Sequence, residues 1–249
     1  MVDTIDGVVD RLTEIIAQSH RESSRLGYFA ALYRKVTIKV KQGIASGRFQ
    51  NGKRMEMLDV VFANRYLEAY DLHRLGKQPV ASWQLSFEAA DQWKPLIVQQ
   101  LLLGINAHIN LDLGIAAVTV SPGDLLASLK QDFDTINVIL AELVLPLEEE
   151  IGGLSPWIGF LEKIDPSVDD ATINFSMKVA RNEAWKFALK LNGLDKRQQA
   201  EAIVDRDRKI AELGNLVLHP PGVFFKLGLM AIRLRESNNI PKIIDALGK

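Results

Sequence analysis

His108 and Asp112 lie four residues apart in the run NAHINLDL, whose neighbours are mostly apolar. On a helix that spacing brings both side chains onto one face. An imidazole beside a carboxylate suits two chemistries: a general base whose tautomer the carboxylate fixes, or two ligands of one divalent metal ion. The same pair can equally be a hydrogen bond that satisfies two buried groups. Asp132 falls in the apolar arc marked by Leu125, Leu129, Ile136 and Leu143, so it is the expected third member of a catalytic His108–Asp112–Asp132 set. Asn137 lies at the opposite edge of that arc and joins the candidate ligand contacts.

A second group of polar residues sits on a face that should be buried. Arg54 and Arg65 share the helical arc of Met55, Leu58, Val61, Phe62, Ala69 and Leu72. A guanidinium cannot lose its proton to escape burial, so each must meet an anion. Either they clamp an anionic ligand at the rim of a pocket, or they pair with Asp59, Asp112 or Asp132. Snorkelling from the helix ends is the third possibility. Arg65, near the helix middle, is the better candidate for function. Arg181 and Trp185, again four apart, flank the stripe Ala180–Ala184–Ala188; they are candidate ligand contacts, with a purely structural Arg–Trp stack as the alternative. Tyr28 and Tyr33 could line the same cavity. His20 and His73 close helices, where a cation favours the dipole, and His219 precedes two prolines in a loop.

Helical periodicity supplies the elements that must position these groups. Apolar residues recur at helical spacing over about 3–20, 25–46, 53–75, 83–92, 95–119, 122–151, 168–192, 196–218, 222–236 and 239–247, and no strand alternation emerges. Ser121-Pro122-Gly123-Asp124 reads as a helix start with Ser at the N-cap and Pro at the first helical position. Ser167 with Asp170 reads as another. Gly47, Gly76, Gly152-Gly153, Gly193 and the His219–Gly222 break read as stops, and Pro146 should kink or end its helix. The segment 152–167 is the best candidate boundary, but Trp157, Phe160 and Leu161 make it apolar enough to pack down. The expectation is one all-α domain over 1–249, built from about nine or ten helices around a central one.

That central helix runs from Leu96 to Val120 and is long enough to cross a bilayer. It also carries Gln99, Gln100, Asn106, His108, Asn110, Asp112 and Thr119, too many polar groups for a lipid-facing span. His108, Asp112 and Thr119 form one polar stripe; Gln99, Asn106 and Asn110 form another on the opposite side. Each stripe must meet partners or a cavity. A soluble, cytoplasmic protein with a buried central helix is expected.

The composition excludes several classes. The 249 residues hold 30 Lys+Arg against 31 Asp+Glu, a net charge of −1 without long charged blocks, which argues against nucleic acid as partner. With 0 cysteines there is no disulfide, thiolate nucleophile or iron–sulfur cluster. H-E-x-x-H, Walker A, G-x-S-x-G and G-x-G-x-x-G after a strand are all missing, as are the Glu-x-x-His pairs of di-iron bundles.

Three segments carry a resemblance: Arg25 to Thr37 (RLGYFAALYRKVT), Arg54 to Leu67 (RMEMLDVVFANRYL) and Asn106 to Leu113 (NAHINLDL), joined by Asp132-Phe133 with Asn137 and by Arg181 through Trp185. Together they resemble a bacterial family of uncharacterised proteins, domain of unknown function family 5995, over most of the chain. The resemblance implies one helical domain and points to Arg54, Asp59, Arg65, His108, Asn110, Asp112, Asp132 and Asn137. It implies no activity. The residues themselves support an enzyme of hydrolase or lyase type, with one divalent metal ion as an optional cofactor, acting on a small molecule in a helical cavity. A non-catalytic ligand-binding protein and a helical interaction module remain the alternatives. An isoprenoid cyclase is disfavoured by an aromatic content of only 7%.

Overall fold

The amphipathic runs fold as helices, and every described element is helical. The computed structural model describes residues 1–152, 155 and 170–249, excepting the side chains of 144–152, 170–176 and 223–226. In chain order the helices are α1 (Ile5–Glu22), α2 (Leu26–Ala45), α3 (Gly52–Arg74), α4 (Ala81–Ala90), α5 (Ile97–Ala107), α6 (Leu113–Val120), α7 (Leu125–Gly152), α8 (Asp170–Asn192), α9 (Lys196–Leu218), α10 (Val223–Arg233) and α11 (Ile240–Leu247). Between α5 and α6, residues His108–Asp112 form one turn of π-helix, so 97–120 is a continuous rod with a bulge at its middle.

The starts follow from capping chemistry. The Thr4 side chain accepts from the Gly7 N–H at α1, and Asn51 accepts from Arg54 N–H at α3. Asp195 and Gln198 form a reciprocal capping box at α9. Two starts and stops differ from the sequence reading. Ser121 closes α6 rather than opening α7, and α7 begins only at Leu125. Gly123 takes a φ of 63°, a left-handed conformation outside any helix, and its N–H and carbonyl are both bonded by the Asn192 side chain. Pro146 removes one N–H from the ladder of α7, yet the helix continues to Gly152. The cap at Ser167 and the candidate boundary at 152–167 with Trp157, Phe160 and Leu161 lie outside the described residues, Ser155 apart.

The rod 97–120 is the axis of the fold: α2, α3, α4, α7, α8 and α9 all pack on it. It spans 24 residues, its most apolar 18-residue window has a mean hydropathy of 1.5, and it would be long and apolar enough to cross a membrane, but 78% of that window is buried inside the protein. Two apolar clusters meet along it. One gathers Met55, Leu58, Ile109, Leu113, Leu129, Phe133 and Ile136; the other gathers Phe29, Tyr33, Tyr66, Tyr70, Trp83 and Phe87. Close approach of α5 to α2 depends on Gly104. A Cβ there would lie 2.4 Å from Phe29 Cδ2. Phe29 is thereby pressed against the rod one turn before His108, which fixes a wall of the site.

A carboxylate-held histidine on an apolar cavity

The π turn is the local device that builds the site. Its signature bond runs from Leu113 N–H to the His108 carbonyl, five residues back. Within this turn the Asn110 carbonyl accepts from Arg206 Nε of α9 at 3.0 Å. Asn110 Nδ2 bonds Asn106 Oδ1, while Asn106 Nδ2 reaches the Ile210 carbonyl. The second polar stripe of the sequence therefore faces α9 and anchors the bulge. Asn106 and Asn110 do not line the cavity beside His108.

The first stripe faces the opposite way. Asp112 is fully buried, with relative exposure 0%. Its Oδ1 accepts from Arg65 Nε at 2.6 Å, and its Oδ2 accepts from Trp83 Nε1 at 2.8 Å. His108 Nδ1 stands 3.4 Å from the same Oδ2. A carboxylate can only accept, so this contact places the proton on Nδ1 and leaves Nε2 as a bare lone pair. Nε2 is buried and has no hydrogen-bond partner. Burial pushes the His108 pKa down, against the smaller opposing pull of Asp112, which keeps the ring neutral.

The imidazole is clamped by rings. Phe62 stacks on it with centroids 3.5 Å apart and planes 9° from parallel. Tyr33 meets it at 4.5 Å, Phe29 at 5.7 Å and Trp83 at 5.9 Å. An overall aromatic content of 7% thus conceals a dense aromatic box at one point.

His108 lies on the wall of a cavity of about 140 Å³. Its other walls come from α2 (Leu32, Tyr33, Val36, Val40), α3 (Met55, Leu58, Phe62), the rod (Ile105, Ile109, Leu113), α7 (Ile136, Leu140) and α8 (Met177). An apolar cavity of about 150 Å³ in another protein holds benzene, so this space suits a comparably small molecule. Beside His108, the polar side chains on the wall are Tyr33, Asp59 and Arg181. Asp59 Oδ2 is buried without a hydrogen bond. Burial, aided by Glu56, pushes its pKa from 3.8 up to about 7, so much of it is protonated at neutral pH. The Tyr33 hydroxyl is also unpartnered, and burial holds its pKa well above 10.0.

The candidate residues thus separate into distinct groups. Asp132 does not join His108 and Asp112. Its carboxylate accepts from the Gln50 N–H at 2.7 Å and the Asn51 N–H at 3.1 Å, and it pairs with Arg54 at 3.2 Å. It anchors the entry to α3, because exposed N–H groups before a helix need an acceptor. Arg54 also donates to the Ser128 hydroxyl and carbonyl, so both inward arginines of α3 are held by carboxylates of neighbouring helices. Arg181 lies over Phe133, with its guanidinium carbon 4.5 Å from the ring centroid, and donates to Asn137 Oδ1 and the Phe133 carbonyl. Trp185 packs against Phe133 under the Lys130 ammonium, in place of a stack with Arg181. Tyr28 belongs to a different cluster with Leu101 and Ile244.

Among the described residues no third His, Asp or Glu completes a group able to hold a metal ion with His108 and Asp112. Both oxygens of Asp112 are engaged by Arg65 and Trp83, so this donor set does not fit a divalent cation. Trp83 and Phe62 were not singled out from the sequence. Trp83 comes from α4, the helix before the rod, with no sequence spacing that ties it to Asp112, and Phe62 reads as ordinary core within an apolar arc.

Among protein-family models, that of a family of unknown function (DUF5995) matches residues 5–220. No curated protein and no solved structure matches the chain.

Proposed function

We propose, from the premise that the chain belongs to this family of unknown function, that it is an enzyme performing proton transfer on a small, largely apolar molecule in the central cavity. The observation that carries this reading is the buried, unpartnered Nε2 of a histidine whose other nitrogen faces a fixed carboxylate, on the wall of that cavity. Leaving such an acceptor unbonded costs about 1–3 kcal/mol, a cost that a ligand proton would remove. Nε2 takes a proton from the bound molecule; Asp112 stabilises the resulting imidazolium, and Arg65 and Trp83 hold Asp112 in place. Asp59, protonated in part near neutrality, is the group able to return a proton. Of the two reaction types the sequence suggests, elimination of the lyase type fits better. It needs a base and an acid, whereas hydrolysis also needs a held water and an oxyanion site.

Benzisoxazole provides a direct test. Its elimination needs only a base: the ring C–H proton passes to Nε2, the C–H electrons form the nitrile, and the N–O bond breaks to give a phenolate. The wild type is expected to accelerate this over His108→Gln on the order of a hundredfold or more. Equal rates in the two proteins, with benzisoxazole shown to bind, would overturn the catalytic reading in favour of a binding protein. The apolar wall supports that second reading as well as the first. Failure of benzisoxazole to bind would overturn both.

A further inference from the structure

Arg181 is the feature of the cavity that proton transfer leaves unused. It is 4% exposed and lines the cavity. Its Nε and Nη2 are committed to Asn137 and the Phe133 carbonyl, both uncharged acceptors. Its Nη1 makes no hydrogen bond, and no carboxylate lies within ion-pair distance of it among the described residues. The other inward arginines differ: Arg54 has Asp132, and Arg65 has Asp112. Asp134, the acidic group that acts on Arg181 from a distance, is tied to Lys130 instead. Burial lowers the Arg181 pKa from 12.5 to about 10, against the smaller opposing pull of Asp134.

We propose that the cavity takes a small carboxylic acid with an apolar body, its carboxylate on Arg181 and its hydrocarbon against the wall beneath His108. A buried cation without a counter-ion is costly, and one incoming negative charge removes that cost. A guanidinium fork matches a carboxylate in geometry. One negative charge balances the single positive charge of Arg181, whereas a phosphate dianion would bring a surplus into an apolar space that also holds Asp59. The apolar lining recognises the remainder of the molecule, and the volume limits it to a short chain or single ring. This assignment rests on the cavity being a ligand site, as proposed above, and adds the chemical class of the ligand.

Hexanoate and hexanamide have nearly the same shape and differ in charge. Their binding to wild type, Arg181→Gln and Arg181→Lys near neutral pH, measured by calorimetry, tests the assignment. Hexanoate is expected to bind the wild type at least tenfold more tightly than hexanamide. Arg181→Gln should abolish that preference, chiefly by weakening hexanoate, and Arg181→Lys should retain part of it. Hexanamide binding as tightly as hexanoate in the wild type would overturn the carboxylate assignment and leave the cavity reading standing. Binding of neither molecule would overturn both. Should the Arg181 variants fail to fold, the wild-type comparison decides alone, since it needs no substitution.

Discussion

Asp59 ties the cavity to the pH dependence of folding. Its carboxyl is buried, Oδ2 has no hydrogen bond, and its pKa rises from 3.8 to about 7. The folded chain therefore holds this proton more tightly than the unfolded chain does. The stability it contributes is complete below about pH 4, declines as pH rises towards about 7, and is absent above that. At about 1.4 kcal/mol per pH unit, the whole span amounts to at most about 4 kcal/mol. Asp59→Asn keeps the shape and cannot ionise, so it removes the effect. His108 acts in the opposite sense: its lowered pKa makes acidification below about pH 6.5 destabilising. Both proteins carry His108, Tyr33 and Glu56, so their contributions largely cancel in the difference. Urea unfolding followed by circular dichroism between about pH 5 and about pH 8 should show the variant gaining on the wild type by a few kcal/mol as pH rises. Parallel stability curves over that range would mean that Asp59 is solvated or paired, and the picture of a dry cavity wall would be wrong.

Three further outcomes follow from the geometry. Asp112→Asn leaves Arg65 without its counter-ion beside a buried amide, so a loss of about 3 kcal/mol or more is expected in the same unfolding assay. Gly104→Ala must push its methyl into the Phe29 ring, and should cost about 1–3 kcal/mol while disturbing the aromatic signals around His108. His108→Gln should flatten the loss of stability on mild acidification, because the neutral buried ring no longer has to charge; an unchanged acid limb would show that His108 titrates freely in the folded protein.

Much of the fold was legible because its signals are local. The apolar period of 97–120 and its seven polar interruptions identified the axial helix, and the stops at Gly47, Gly76 and Gly193 marked boundaries. The His108–Asp112 pair was legible because both members sit on one helix, and Arg65 because an inward arginine must find an anion. What the spacing could not give was the partner each polar group chooses. Asp132 has the right helical phase for the site but lies at the α3 entry, where backbone N–H groups claim it. Asn106 and Asn110 share the rod with His108, yet the π turn and Arg206 direct them to α9. The π turn itself has no sequence signature here. The contacts around it, Arg206 on the Asn110 carbonyl and the Trp83 indole on Asp112, come from other helices whose approach no local spacing encodes. Composition misled in one respect: few aromatic residues overall still allowed Phe29, Tyr33, Phe62 and Trp83 to gather around one imidazole.

Nitrogen NMR of the His108 ring, with and without indole, tests the central claim most directly. The account predicts a neutral ring near pH 7 with its proton on Nδ1, and an Nε2 resonance that shifts when indole enters the cavity and donates its N–H. A proton on Nε2, or an Nε2 resonance indifferent to saturating indole, would contradict it and leave His108 as a packed member of the core.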